Sequence, residues 1–153
     1  MKNYQIIYAQ PSDCEQIDSL IYNLKKYEAE LLNEEINTNF NKTGDLLKDL
    51  DSLVIVAKSN EIVLGVGRGF KDSSYMFLSE LYVGEKYRKQ NIGRRIYEEF
   101  VNESRKMQVK SLVIPTLNKN INSQQFYEKI GATKMYIQYE VSLHDGESYD
   151  SVL

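Results

Sequence analysis

"YVGEKYRKQNIGRR" (Tyr82–Arg95) is the stretch on which the fold turns. It begins at the end of "YMFLSELYV" (Tyr75–Val83), an aromatic and aliphatic run with the make-up of a β-strand. It runs into Ile92, Ile96, Phe100, Val101 and Met107, an apolar stripe at helical spacing. The connection is therefore strand, loop, helix. A helix start exposes unpaired backbone N–H groups at the positive end of its dipole, where phosphate or pyrophosphate binds readily. Gly93 lets a ligand approach the backbone, and Arg88, Lys89 and Arg94 add positive charge. Asn91 belongs to the residue type that most easily replaces glycine in a left-handed conformation. Taken alone, the segment fits a solvated basic helix start somewhat better than a ligand site.

Working outward, "LVIVAK" (Leu53–Lys58) and "IVLGVGRGF" (Ile62–Phe70), joined through Ser59 and Asn60, form a predicted β-hairpin ahead of Tyr75–Val83. The three alternate glycines of "LGVGRGF" lie within a strand pattern with no helix after them. They mark a strand that bulges or passes near a ligand rather than a dinucleotide fingerprint. At the N-terminus, "YQIIYA" (Tyr4–Ala9) is a predicted strand, and Ser12 with Glu15 reads as a capping box. Ile17, Leu20, Ile21, Leu24, Tyr27 and Leu31 then share one face of a long helix, and "TGDLLKDL" starts a short one at Thr43. Downstream come a buried strand "SLVIPT" (Ser111–Thr116), a helix "INSQQFYEKIG" closed by Gly131, and an alternating last strand "MYIQYEVSL" (Met135–Leu143). The order β-α-α-β-β-β-α-β-α-β implies an α/β (α+β) domain over 1–143, with helices on a mixed, mostly antiparallel sheet and a polar tail over 144–153.

Composition bounds the function. The chain has 153 residues, 42 % of them hydrophobic and 27 % charged, which suits one soluble domain. Its net charge is −3, and no aromatic residues line up for base stacking beside the basic loop, so nucleic acid is not the expected partner. Charge is unevenly placed: Gly84–Arg95 is basic, whereas Glu28–Asp51 is acidic. Cys14 is the only cysteine, which excludes an internal disulfide and fits a reducing compartment. Nothing at the N-terminus resembles a signal peptide, and no apolar run reaches membrane length, so a cytoplasmic protein is expected. His144 is the only histidine, which leaves little for a histidine-based triad or a zinc site, and no metal is expected.

At Val83, Arg88, Ile92 and Gly93 the opening stretch resembles the pyrophosphate-binding motif of the GCN5-related N-acetyltransferase (GNAT) superfamily. It departs from the motif at Asn91, where glycine is usual, and at Gly84-Glu85, where proline is common. "NINSQQFYEKIGA" (Asn120–Ala132), about thirty residues further on, is similar to the second motif of that family. The resemblance implies the GNAT fold, with its fourth and fifth strands splayed apart and helices on both faces. It also implies acetyl-CoA as cosubstrate and no covalent enzyme intermediate. The pyrophosphate would rest on the amides of Arg88, Lys89, Gln90, Asn91, Ile92, Gly93 and Arg94. The pantetheine arm would pair with backbone groups of Leu81 and Val83, and Asn120 would touch the cofactor. Tyr127 would lie beside the sulfur and protonate the departing thiolate, which suits a phenol of ordinary pKa about 10.

An amine acceptor must lose a proton before it attacks, and Glu80, a carboxylate among apolar neighbours, is placed to take it directly or through water. Tyr27 and Glu28, at the head of the acidic segment, are the expected acceptor-binding residues together with Glu80. The favoured acceptor is a small cationic amine, polyamine- or aminoglycoside-like. The alternatives are a protein or peptide amine, or a non-catalytic acyl-CoA sensor on the same fold. A homodimer is consistent with the resemblance.

Overall fold

A computed structural model describes residues 3–143; the polar tail expected over 144–153 lies outside them. Five strands, β1 (Gln5–Tyr8), β2 (Ser52–Ser59), β3 (Ile62–Asp72), β4 (Tyr75–Val83) and β5 (Ser111–Val113), make one sheet in that order. Neighbours from β1 to β4 are antiparallel, and β4 and β5 are parallel. The helices are α1 (Cys14–Leu32), α2 (Thr43–Leu46), α3 (Ile92–Lys106) and α4 (Ile121–Lys129).

The continuous apolar run of β2 is explained by burial on both faces. Leu53, Ile55 and Ala57 join Ile92, Ile96 and Phe100 of α3 in one core cluster. Val54 and Val56 join Ile17 and Ile21 of α1 in the other. Among the alternate glycines of β3, one lies against a bulge, and the other two let a helix approach rather than a ligand. A Cβ on Gly65 or Gly67 would meet Ile96 side-chain atoms at 3.1 and 2.9 Å, so these positions let α3 lie close on the sheet. Gly69 faces a β-bulge in β4: Arg68 pairs with Glu80 and Gly69 with Leu78, which leaves Ser79 as the extra residue. The bulge resets the alternation, so Leu78 and Leu81 both reach the α3 side.

Two expectations are corrected. The capping box lies two residues earlier than Ser12 and Glu15. Asp13 reaches back to accept the Gln10 N–H at 2.8 Å across a 3-10 turn, Pro11–Asp13, and α1 starts only at Cys14. Asp13 wins because its other oxygen also pairs with Lys58 at 2.6 Å, tying the helix entry to β2. The second concerns Met135–Leu143, which forms no strand among the described residues. Met135, Tyr136, Ile137, Tyr139, Val141 and Leu143 are all exposed, by 68 to 87 %. Alternation records a one-sided strand but not which edge it meets. Here the chain leaving α4 is held on that helix, by Ala132 N–H donating to the Tyr127 carbonyl at 2.9 Å and by Lys134 near Gln124 and Glu128.

Candidate active site

Only Tyr75, Met76 and Phe77 of β4 pair with β5. From Leu78 to Val83 the outer edge of β4 has no strand partner among the described residues, and the sheet opens there as a wedge. This is the splay expected between the fourth and fifth strands. At the end of the wedge the chain passes through a 3-10 turn, Glu85–Tyr87, and enters α3 behind Asn91. Asn91 has φ 65° and ψ 15°, the left-handed conformation its amide side chain tolerates. Lys89 is left-handed as well, with φ 61°. No side chain caps the first turn of α3, and its first amide to bond back within the helix is Arg95 N, to Asn91 O at 3.2 Å. The amides of Ile92, Gly93 and Arg94 therefore stand at the positive helix end with no intrahelical acceptor.

The three arginines of the loop and helix start are otherwise engaged. Arg94 Nε donates to Glu98 at 3.0 Å, and Arg88 Nε donates to the Val83 carbonyl at 3.1 Å while lying over the Tyr82 ring. Arg95 lies over the Tyr4 ring, and the Tyr4 hydroxyl donates to the Gln90 carbonyl at 3.1 Å, which pins the loop to the start of the chain. The Val83 carbonyl is thus already satisfied from within the protein.

Three elements meet at Gly93, where an added Cβ would lie 3.5 Å from Val83 Cγ2 and 3.7 Å from Phe126 Cζ. Tyr127, next to Phe126 on α4, packs on the same core cluster as Leu81 and Val83 and near Tyr97 of α3, with ring centroids 6.5 Å apart. Burial, reinforced by Tyr97, holds its phenol well above the usual tyrosine range. Asn120 is buried and works locally: its Oδ1 accepts the Ser123 N–H at 3.1 Å and caps α4.

On the α1 face of the wedge lies a chain of charges. Arg68 is 1 % exposed; its Nε donates to Glu80 Oε1 at 2.8 Å and its Nη2 to Oε2 at 3.3 Å, the bidentate geometry of a strong pair. Its Nη1 donates to Thr43 Oγ1 at 3.0 Å, and that hydroxyl donates to Asp18 at 2.7 Å. Lys25 Nζ lies 3.7 Å from Glu80 and 3.3 Å from Glu28, which carries the chain to the acidic end of α1. Beside it, Glu28, Glu34, Glu35 and Asn37 line a cavity of about 170 Å³ with Leu117 of the β5–α4 connection.

A model of the Acetyltransferase (GNAT) family matches residues 14–132. The chain belongs to this family. Solved structures agree in fold: a possible acetyltransferase from Clostridium difficile 630 is 20 % identical, with 92 % of this chain and 98 % of that one covered and a TM-score of 0.75. An aminoglycoside N-acetyltransferase in complex with CoA is 15 % identical, with 92 and 96 % covered and a TM-score of 0.71. A ribosomal-protein-alanine N-acetyltransferase from Brucella melitensis biovar Abortus 2308 is 14 % identical, with 92 and 99 % covered and a TM-score of 0.71. No curated protein sequence matches the chain.

Within this GNAT domain the edge at Leu81 and Val83, the α3 amides and Tyr127 come together around one wedge. Glu80 and Glu28 are linked through Lys25, while Tyr27, half-buried on α1, enters neither core cluster. The expectation had no place for Arg68, Asp18, Lys25 or Thr43. One signal was available for Arg68: an arginine inside an apolar strand, within hairpin reach of Glu80, needs a buried partner. At Cys14 burial, and then Asp18, push the thiol up, the direction opposite to that of an activated thiolate. Among the described residues no helix is long and apolar enough to cross a membrane.

Proposed function

We propose that the protein transfers the acetyl group of acetyl-CoA to a primary amine of a small cationic molecule, by direct attack in a ternary complex. The observation that carries this is the unpaired edge of β4 running into an uncapped, left-handed entry to α3. Those features fit CoA: backbone groups of Leu81 and the Val83 N–H suit the amides of a pantetheine arm, and the loop from Arg88 to Arg94 suits a pyrophosphate. Asn120 retains its amide nitrogen for the same ligand, since only Oδ1 is used in capping.

When bound, acetyl-CoA supplies a thioester whose sulfur must leave as a thiolate. Tyr127 is the proton donor to that sulfur. Among the described residues no hydrogen bond engages its hydroxyl, and its raised pKa keeps it protonated throughout the neutral range. Glu80 has both oxygens on Arg68 and a second cation in Lys25. It therefore takes the proton of the acceptor ammonium through water rather than by direct contact, and it orders that water. Asp18, Arg68, Glu80, Lys25 and Glu28 together carry three negative charges and two positive ones, and Glu34 and Glu35 extend the negative side around the cavity. That balance favours a cationic acceptor small enough to lie between α1 and the β5–α4 connection.

The test is a screen with acetyl-CoA, reading released thiol, over polyamines, aminoglycosides, amino acids and peptides. Turnover confined to cationic small molecules is the expected result. Turnover of peptides alone would replace the acceptor, and binding of CoA with no turnover of any amine would replace the enzyme by a sensor.

A further inference from the structure

The loop entering α3 is bent by two left-handed residues, Lys89 at φ 61° and Asn91 at φ 65°, with Gln90 between them. The Gln90 carbonyl accepts the Tyr4 hydroxyl at 3.1 Å, across 86 positions of sequence. Tyr4 directly precedes β1, whose Gln5 pairs with Lys58 of β2. Its ring packs on the core cluster that contains Ile92 and Ile96, and the Arg95 guanidinium lies over it, 4.9 Å from the centroid. The two peptide units flanking Asn91 are thus fixed from different places. The one after it is held by α3, where the Arg95 N–H donates to the Asn91 carbonyl at 3.2 Å. The one before it joins the Gln90 C=O to the Asn91 N–H, and among the described residues it takes its one hydrogen bond from Tyr4.

A trans peptide unit is planar, and its C=O and N–H point in opposite directions. While the Gln90 carbonyl faces Tyr4, the Asn91 N–H faces away from it, and among the described residues no acceptor meets that N–H. It joins the amides of Ile92, Gly93 and Arg94 as an unpaired donor at the helix entry. The competing arrangement is a half-turn of this one unit. Opposite changes in ψ of Gln90 and φ of Asn91 would absorb it and leave the rest of the chain in place. The half-turn would release Asn91 from the left-handed region, which is costly for a residue with a Cβ. It would also put a carbonyl oxygen where the N–H had been, against the negative charge of a phosphate. On the reading of this loop as the cradle of a CoA pyrophosphate, we infer that Tyr4 is a positioning residue for the cofactor. Its hydroxyl turns the Gln90–Asn91 peptide so that the donor, and not the acceptor, faces the phosphate.

The test uses the full chain and a change of one oxygen. Tyr4→Phe removes the hydroxyl and keeps the ring on the core and under Arg95. CoA binding, measured by calorimetry, is expected to weaken on the order of tenfold, with far-ultraviolet circular dichroism unchanged. With the amine found in the acceptor screen, KM for acetyl-CoA should rise at unchanged kcat. S-acetylpantetheine, which has the thioester but no pyrophosphate, should keep its kcat/KM. In an Asn91→Gly background either orientation of the peptide suits glycine, so loss of the hydroxyl should weaken CoA binding much less. Equal CoA affinity in the unmodified protein and Tyr4→Phe would overturn the role of Tyr4 and leave the CoA site standing. An equal loss in both backgrounds, or an equal loss with S-acetylpantetheine, would overturn it as well, because the hydroxyl would then act elsewhere than on this peptide. An unmodified protein that binds no CoA would overturn the reading of the loop itself, and the role of Tyr4 with it.

Discussion

Replacing Arg68 by methionine tests the charge network most directly. The guanidinium is 1 % exposed and makes three hydrogen bonds, two to Glu80 and one to Thr43. Without it Glu80, whose side chain is 12 % exposed, keeps only Lys25 at 3.7 Å, and Thr43 Oγ1 loses its donor. Removing one member of a buried pair costs about 3–5 kcal/mol, because the other charge stays out of water uncompensated. The residual exposure of Glu80 and the nearby Lys25 put Arg68→Met at the lower end, about 3 kcal/mol. At this chain length that lowers Tm by roughly 6–12 °C.

The double variant Arg68→Met/Glu80→Met separates pairing from packing. Asp18 keeps both Thr43 bonds and Lys25 keeps Glu28, so no charge is orphaned. Stability should return to within about 1–2 kcal/mol of the parent. The chain has no tryptophan, so urea unfolding is best followed by far-ultraviolet circular dichroism. A loss under about 1 kcal/mol for the single variant, or a double variant less stable than the single, would refute the network as a desolvated pair.

Three further outcomes are expected. Tyr127→Phe should lower kcat by about 10²–10⁴-fold with CoA affinity, measured by calorimetry, unchanged. The proposed acid would work in its protonated form and its pKa is raised, so the alkaline limb of kcat should lie above about pH 10; a limb near pH 8 that vanishes in the Phe variant would contradict the assignment. Asn91→Ala should cost about 1–2 kcal/mol in thermal melts because φ is 65°, whereas Asn91→Gly should be close to neutral and retain CoA binding. Glu103 is held below the usual carboxylate range by Lys106, 2.8 Å away, and then by the Tyr8 hydroxyl. Its contribution to stability is present above about pH 4.3 and is lost as pH falls through the lower folded value, so Glu103→Gln should flatten the acid limb of a stability profile.

The strand-loop-helix around Asn91 was legible because local chemistry decides it: one residue type, one conformation and one helix start within a few positions. The hairpin was legible from its two apolar runs and the Ser59-Asn60 turn between them. What escaped depends on contacts distant in sequence. Asp13 displaced Ser12 at the α1 entry because Lys58, across the sheet, secures it. The bulge at Ser79 hid the common face of Leu78 and Leu81 from any count by twos. The pairing of Glu80 with Arg68, 12 positions away, joins two strands whose register neither strand shows by itself. For Met135–Leu143, alternation told the shape of the segment and nothing of where it docks.

The glycines of β3 act as a spacer beneath α3, the helix whose N-terminal amides lie at the end of the wedge. Helix α3 is about 22 Å long, and Ile96 sits about 6 Å along it from the N-terminal end. A methyl at Gly67 would come within 2.9 Å of Ile96 Cγ2, a branch carbon fixed to its own rotamer, so the helix itself would have to give way. Its N-terminal amides would move with it, by a few tenths of an ångström, and hydrogen bonds to an anion are sensitive on that scale. On the proposed function, affinity for CoA would therefore be set in part from beneath, by a strand outside the loop that receives it. A substitution at Gly65 or Gly67 would then retune that affinity while every residue of the proposed cradle stays the same.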